Sequence, residues 1–303
     1  MNNYLFSKYK ENLPKNISQY LSSKLSEQIS SEDIIACSKG CNSFGYEVKD
    51  YIVRFALNEK SWNKLEKEKN ILDFLQDRVS ITIPKTNLFY GEYPFSIHNK
   101  IRGEFISEKD YFKFSDSEKD KLANNLSLFF SEMHKIPLSD LEDFIIPYWD
   151  RYEKTFPNKD TIFNTIDKKS ELSLENKNVI FEFIDNYLPQ KFEIKFVLGH
   201  FDIMSKNLVF DLRKNKLNGI FDFGDCGIGH YLYDFSQMDL GLDLWKRMKT
   251  SYEKRTNNKF DVQKIKDHSL FSALGFYVNY LNGIEKIQKD CLEKLIKELK
   301  DFA

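Results

Sequence analysis

The feature that most constrains this 303-residue chain is an ordered set of polar residues wrapped around one hairpin. The stretch Leu198-Gly199-His200-Phe201-Asp202-Ile203-Met204-Ser205-Lys206-Asn207 sets a His, an Asp and an Asn at fixed offsets, and an apolar run follows at once. Two such runs, Leu208–Asp211 and Leu217–Phe223, flank the polar Leu212–Lys216, the pattern of a β-hairpin. The hairpin ends in Asp222-Phe223-Gly224, so folding it returns a second carboxylate to the side of Asn207.

An Asp before the hairpin, an Asn at its start and an Asp at its end match the H-x-D-x4-N and D-F-G pattern of protein kinases. Phosphoryl transfer needs a carboxylate to orient the attacking hydroxyl and accept its proton. It also needs hard oxygen ligands to hold Mg²⁺ against nucleotide phosphates. Asp202 suits the first task, and Asn207 with Asp222 the second. His200 belongs to the catalytic set as a positioning group that hydrogen-bonds within the loop, holding the Asp202 backbone and the Asp-Phe-Gly turn. H-x-D alone is weak, and a polar turn before an ordinary hairpin is the competing reading; the ordered set is the stronger signal.

Upstream, short β-rich runs at Ile34–Cys37, Phe44–Val48, Tyr51–Leu57, Ser80–Ile83, Asn87–Tyr90 and Phe95–Lys100 follow an opening helix. Trp62, Leu65, Leu72 and Leu75 recur at helical spacing between the third and fourth runs. The expectation is a mainly antiparallel sheet with one packed helix. Arg54 interrupts the apolar third run, and Glu68 falls on the apolar face of the helix, where a charge needs a partner. Arg54 is the candidate partner, and the pair would position nucleotide phosphates. Ser38-Lys39-Gly40-Cys41-Asn42-Ser43-Phe44-Gly45 is the candidate phosphate-turning loop; it carries Gly40 and Gly45 but not G-x-G-x-x-G, and would act through Ser38, Gly40, Asn42 and backbone amides. His98-Asn99-Lys100-Ile101 occupies the place of an interlobe linker, about 98–103, where backbone groups would meet a purine base.

After Gly103 the pattern becomes helical, opening with the capping-box signature Ser115-x-x-Glu118 and a stripe of Leu122, Leu126, Phe129 and Met133. Helical patterns also span Ile265–Leu281 and Ile284–Leu299. The fold expected is therefore α+β and bilobal: residues 1–100 as a nucleotide-binding lobe, and 104–303 as a larger, mainly helical lobe carrying the catalytic hairpin and the acceptor site.

With 41% hydrophobic residues the chain can bury a large core, and a net charge of -1 leaves no basic field for nucleic acid. No run of 18 apolar residues and no signal-peptide region is present, so no membrane partner and a cytoplasmic location are expected. No obligatory protein partner is expected either. Of the four cysteines, Cys37 and Cys41 form C-x3-C without a second Cys/His pair; all are read as free thiols beside Cys226 and Cys291.

These residues resemble the aminoglycoside phosphotransferases, small-molecule kinases of the protein-kinase-like fold, and within them the 2''-phosphotransferases. The resemblance rests on LGHFDIMSKNLVF, on GIFDFGDCGIGHYLYDF with Asp234 ten residues beyond Gly224, and on LSLFFSEMHKIP. It runs more weakly through GCNSFGYEVKDYIVRF, covering about residues 30–240. It implies Asp202 as catalytic base, Asn207 and Asp222 as magnesium ligands, Arg54 with Glu68 as phosphate-positioning pair, and ATP or GTP as donor to a hydroxyl. No Ala-Pro-Glu motif follows Asp222, which separates the chain from protein kinases.

Aminoglycosides are polycations, and Asp225, Asp234, Asp239 and Asp243, with Glu253, are the acids available to bind one. That lining is thin. Another small alcohol, such as choline, homoserine, a methylthio-sugar or a macrolide, is the alternative acceptor, and a pseudokinase-like binding module is the alternative class. Trp245, Tyr277 and Tyr280 are expected in the core rather than stacked on sugar.

Overall fold

The computed structural model describes residue 14 and residues 16–37, 43–141, 159–187, 195–214 and 216–283. The expectations for Ser38, Gly40 and Asn42, and for a helix over Ile284–Leu299, lie outside the described residues.

Helix α1 (Ile17–Leu25) precedes strands β1 (Ile34–Ala36), β2 (Ser43–Val48) and β3 (Tyr51–Ala56). Helix α2 (Glu59–Leu75) then leads to β4 (Thr86–Phe89) and β5 (Phe95–Asn99). The five strands form one sheet in the order β1-β2-β3-β5-β4, with every neighbouring pair antiparallel. Alternation splits the strands between two faces. Val53, Phe55, Phe95 and Ile97 pack with Leu21 of α1, so Ile52, Arg54, Ser96 and His98 point to the other face. The α2 helix starts where the Asn58 side chain accepts the Ser61 N–H, and it buries Trp62, Leu65, Ile71, Leu72 and Leu75. The sheet thus has a helix on each face, one more than the single packed helix expected.

The expected strand Ser80–Ile83 does not join this sheet. Pro84 removes a ladder donor at its end, and Thr82 instead makes an isolated parallel bridge to Gly219 while its carbonyl accepts the Ile220 N–H at 3.0 Å. The segment thereby ties the small lobe to the catalytic hairpin.

Beyond the linker come α3 (Glu108–Lys113) and α4 (Asp116–His134). Ser115 caps α4 with a reciprocal Glu118 contact, and Leu122, Leu126, Phe129 and Met133 are all buried. Helices α5 (Lys159–Lys169) and α6 (Leu174–Tyr187) pack with α9 (Val262–Leu281) in a satellite core. Two short ladders follow: β6 (Phe196–Gly199) with β9 (Gly227–His230), and the hairpin β7 (Leu208–Asp211) with β8 (Lys216–Ile220). Helices α7 (Tyr231–Ser236) and α8 (Leu242–Thr256) follow, and α8 packs along α4. This is the bilobal α+β arrangement expected. No described helix is long and apolar enough to cross a membrane, and among the described residues Cys37 and Cys226 are free thiols.

Candidate active site

After β6 the chain enters the left-handed region at Phe201, with φ 58°. That conformation is unfavourable for a bulky residue and persists only where the surroundings impose it. Asp234 does so from below. Its carboxylate accepts the His200 N–H at 2.9 Å and the Phe201 N–H at 2.7 Å, while His134 Nε2 stands 3.1 Å away. Two glycines make room for the Phe201 ring: a Cβ on Gly199 or on Gly229 would meet its Cζ at 2.6 Å.

The loop delivers Asp202 next. Its N–H donates to His200 Nδ1 at 3.2 Å, which leaves the ring proton on His200 Nε2, aimed at the Phe221 carbonyl 3.2 Å away. One imidazole therefore joins the Asp202 backbone to the residue preceding Asp222. Asn207 Nδ2 donates to the Asp202 carbonyl at 2.8 Å and to Asp202 Oδ2 at 3.0 Å. Burial raises the Asp202 pKa above the ordinary carboxylate value; Lys206 and His200 oppose this, and Asp222 and Asp225 add to it.

Across the hairpin, Asp222 also adopts a left-handed conformation, φ 66° and ψ 62°, and its side chain is 43% exposed. Asn207 and Asp222 are brought to the same end of the hairpin by the Leu208↔Ile220 register and by the Phe221 N–H donating to the Asn207 carbonyl at 3.1 Å. Because both Asn207 amide hydrogens point to Asp202, its Oδ1 is left as an acceptor. An amide oxygen and a half-exposed carboxylate suit Mg²⁺, which takes one or two protein oxygens and completes its shell with phosphate and water.

Arg54 on β3 meets Glu68 on α2, Nη2 to Oε2 at 2.6 Å, and its Nη1 lies 4.0 Å from Asp222. Burial opposes the guanidinium charge, and Glu68 and Asp222 outweigh it, holding the Arg54 pKa above its ordinary value. Glu68 Oε1 accepts the Phe223 N–H at 3.2 Å, so one carboxylate links the sheet, α2 and the Asp-Phe-Gly turn.

Sequence reasoning missed two companions on the same helix. Lys67 Nζ donates to the Cys226 carbonyl at 2.7 Å, and Lys64 Nζ pairs with Asp225 at 3.0 Å. The signal was available: Lys64, Lys67 and Glu68 share one face at helical spacing.

Of the linker residues, His98 sits inside β5 opposite Ile52 and Thr86. Burial, then the Arg54 charge, pulls its pKa down to about 4, and Nδ1 donates to the Asn99 carbonyl at 2.9 Å. Asn99 ends the strand, Lys100 pairs with Glu47, and Ile101 fills the space beside Gly219.

The acids proposed to bind an acceptor do not form an open row. Asp234 is fully buried beneath the Phe201 loop and does not line the cleft, a correction of the expectation. Asp243 is also reassigned: it accepts from Tyr111 Oη at 2.7 Å and Arg247 Nε at 2.9 Å within a helix-packing cluster. Asp225 pairs with Lys64, Asp239 accepts the Ser205 N–H and hydroxyl at 2.7 and 2.8 Å, and Glu253 accepts the Phe260 N–H at 2.8 Å. Trp245 and Tyr277 are core residues, whereas Tyr280 is exposed, unlike the expectation for it.

A model of the phosphotransferase enzyme family matches residues 36–246. Among solved structures, the GDP complex of wild-type aminoglycoside 2'-phosphotransferase-IIIa is similar at 19% identity and TM-score 0.76, covering 94% of this chain and 96% of that one. The streptomycin–ATP ternary complex of APH(2'')-IIa is similar at 23% identity and TM-score 0.68, covering 96% and 97%. A macrolide 2'-phosphotransferase from Brachybacterium faecium matches at 9% identity and TM-score 0.65, covering 92% and 96%. At such identities the shared property is the fold, which is protein-kinase-like.

Proposed function

The chain belongs to the phosphotransferase enzyme family, and we propose that it transfers the γ-phosphoryl group of ATP or GTP to a hydroxyl of an aminoglycoside. The observation that carries this reading is the joined trio: Asn207 clamped onto Asp202, with Asp222 returned beside it by the hairpin.

In the reaction Asp202 orients the acceptor hydroxyl and takes its proton. Burial makes it a better base than an exposed carboxylate, because its raised pKa strengthens its hold on a proton. Asn207 Oδ1 and the Asp222 carboxylate would hold Mg²⁺, which supplies charge neutralisation on the nucleotide phosphates. Arg54, fixed by Glu68, addresses the α/β-phosphates; it keeps the charge of the more usual lysine but forks its donors. His98, Asn99, Lys100 and Ile101 border the place of the purine, and Asp225 and Asp239 border the acceptor side.

The engagement of Asp225 and Asp239 by Lys64 and Ser205 supports a second reading, in which the acceptor is a small alcohol of lower charge. Nucleotide consumption by the purified protein with Mg²⁺ tests both. ATP and GTP are offered separately with kanamycin, gentamicin, streptomycin, choline or homoserine. Stimulation by an aminoglycoside supports the first reading; turnover only with choline or homoserine replaces it with the second. No turnover with any acceptor removes both in favour of a nucleotide-binding module.

A further inference from the structure

Lys206 stands four residues after Asp202 and immediately before Asn207. Its Nζ lies 4.0 Å from Asp202 Oδ2, and 62% of its side chain is exposed. The backbone on both sides of it is fixed. Ser205 donates its N–H and its hydroxyl to the two oxygens of Asp239 at 2.7 and 2.8 Å. On the other side the Asn207 N–H donates to the Met204 carbonyl at 2.8 Å, and the Asn207 side chain is clamped to Asp202. Residues 205–207 form a single 3-10 turn, so the direction in which Lys206 leaves the backbone is set by these five hydrogen bonds.

A surface ion pair at this separation contributes little to stability, and that does not account for a double clasp around it. Nor is the contact a hydrogen bond, so the ammonium donors are not committed to Asp202. Among the described residues, the other cations named at the site have partners: Arg54 is held by Glu68 and Asp222, Lys64 by Asp225, and Lys67 by the Cys226 carbonyl. The acids Asp202, Asp222 and Asp225 make the centre negative just where a phosphoryl group with several anionic oxygens must arrive.

We infer that Lys206 is a further catalytic residue, whose ammonium contacts the transferring phosphoryl group, and that the Ser205–Asp239 clasp positions it. This rests on the phosphotransferase reading above. In the step, the acceptor oxygen bonds to the γ-phosphorus as the bond from phosphorus to the β,γ-bridging oxygen breaks. The electron pair leaves on the nucleoside diphosphate and the acceptor proton goes to Asp202. Lys206 keeps its protons and neutralises charge on the equatorial oxygens, an interaction stronger in the transition state than in the ground state. The same contribution applies when water replaces the acceptor.

The test uses the full chain with Mg²⁺, ATP or GTP, and either water or kanamycin as the acceptor. Lys206→Met lowers kcat roughly a hundred- to a thousandfold with both acceptors, as removal of one preorganised charge donor does. The nucleotide KM changes by less than about threefold, because the contact forms in the transition state. Lys206→Arg recovers most of the loss, and Asp239→Asn falls between wild type and Lys206→Met with unchanged Tm. Lys214→Met, at a surface lysine paired with Asp211, matches wild type. Wild-type kcat in Lys206→Met, a loss carried by KM alone, or an arginine variant as slow as the methionine one each overturns the assignment. A wild-type chain that turns over neither nucleotide overturns the kinase reading itself, and this inference with it.

Discussion

Asp234 holds Phe201 in its left-handed conformation: Oδ1 accepts the Phe201 N–H at 2.7 Å while Oδ2 accepts that of His200 at 2.9 Å. The carboxylate also meets His134, whose Nδ1 is 2.7 Å from the Tyr252 hydroxyl, so a buried polar chain runs from α8 to the base of the catalytic loop. Asp234→Ala leaves two N–H groups and one imidazole without their partner. The expected cost is roughly 3–5 kcal/mol in urea unfolding, typical of breaking a buried charged network. A loss below 1 kcal/mol in that titration would show that the chain does not hold the loop. Gly229→Ala presses on the Phe201 ring, its added Cβ meeting Cζ at 2.6 Å, and overpacking of that kind costs about 1–3 kcal/mol. Its turnover is expected to fall further than its stability, because Asp202 is next in sequence.

The Arg54–Glu68 pair is nearly buried, so its two members are not interchangeable in effect. Glu68→Ala strands a guanidinium and frees the Phe223 N–H, for an expected destabilisation of about 3–5 kcal/mol. Arg54→Lys preserves the charge. It is expected to keep kcat within about tenfold while raising the nucleotide KM, since one ammonium replaces a fork. Isothermal titration with ATP and GTP on both variants checks this, and tighter nucleotide binding by Arg54→Lys would argue that the fork hinders the phosphates.

Much of this site is legible in the sequence because it is local. Asp202, Asn207 and Asp222 are placed by one loop and one hairpin, and hairpin register follows from alternation and turn length. Arg54 and Glu68 are legible for a different reason: Arg54 interrupts an apolar run, Glu68 falls on the apolar face of α2, and a buried charge demands a partner. The strand expected at Ser80–Ile83 alternates polar and β-branched apolar residues, yet tertiary context assigns it to the hairpin rather than to the sheet. The acids fail differently. Nothing local separates Asp234, which receives backbone N–H groups from 33 and 34 residues away, from an exposed acid. The Asp239–Ser205 clasp likewise exists only in the folded chain, whereas Asp243 and Arg247 are an i,i+4 pair within α8 and only the Tyr111 hydroxyl bond to Asp243 is long-range.

His98 gives a pH signature for the small lobe. Its pKa falls from 6.5 to about 4 in the folded chain, through burial and the Arg54 charge. As pH falls below 6.5 the unfolded chain takes up the proton first, so stability declines down to about pH 4 and levels there. The full effect of a shift of this size is about 3 kcal/mol. Wild type and His98→Gln are compared by urea unfolding from pH 7 to pH 4. The variant is expected to lose less stability on acidification, and parallel curves would mean that His98 titrates normally in the fold.

Asp202 carries the opposite sign, because the folded chain raises its carboxyl pKa. Below the unfolded pKa the group is protonated in both states and costs nothing. As pH rises through the folded pKa the ionised carboxylate is held half-buried, and stability is lost. Asp202→Asn removes that charge and retains an acceptor for Asn207. In metal-free protein at pH 7 the variant is therefore expected to show a higher Tm than wild type, with the gap closing below about pH 4. Its kcat is expected to drop about 10²–10⁴-fold, the usual contribution of a general base, while ATP or GTP still binds. A variant that loses both stability and nucleotide affinity would instead mark Asp202 as a residue of the scaffold.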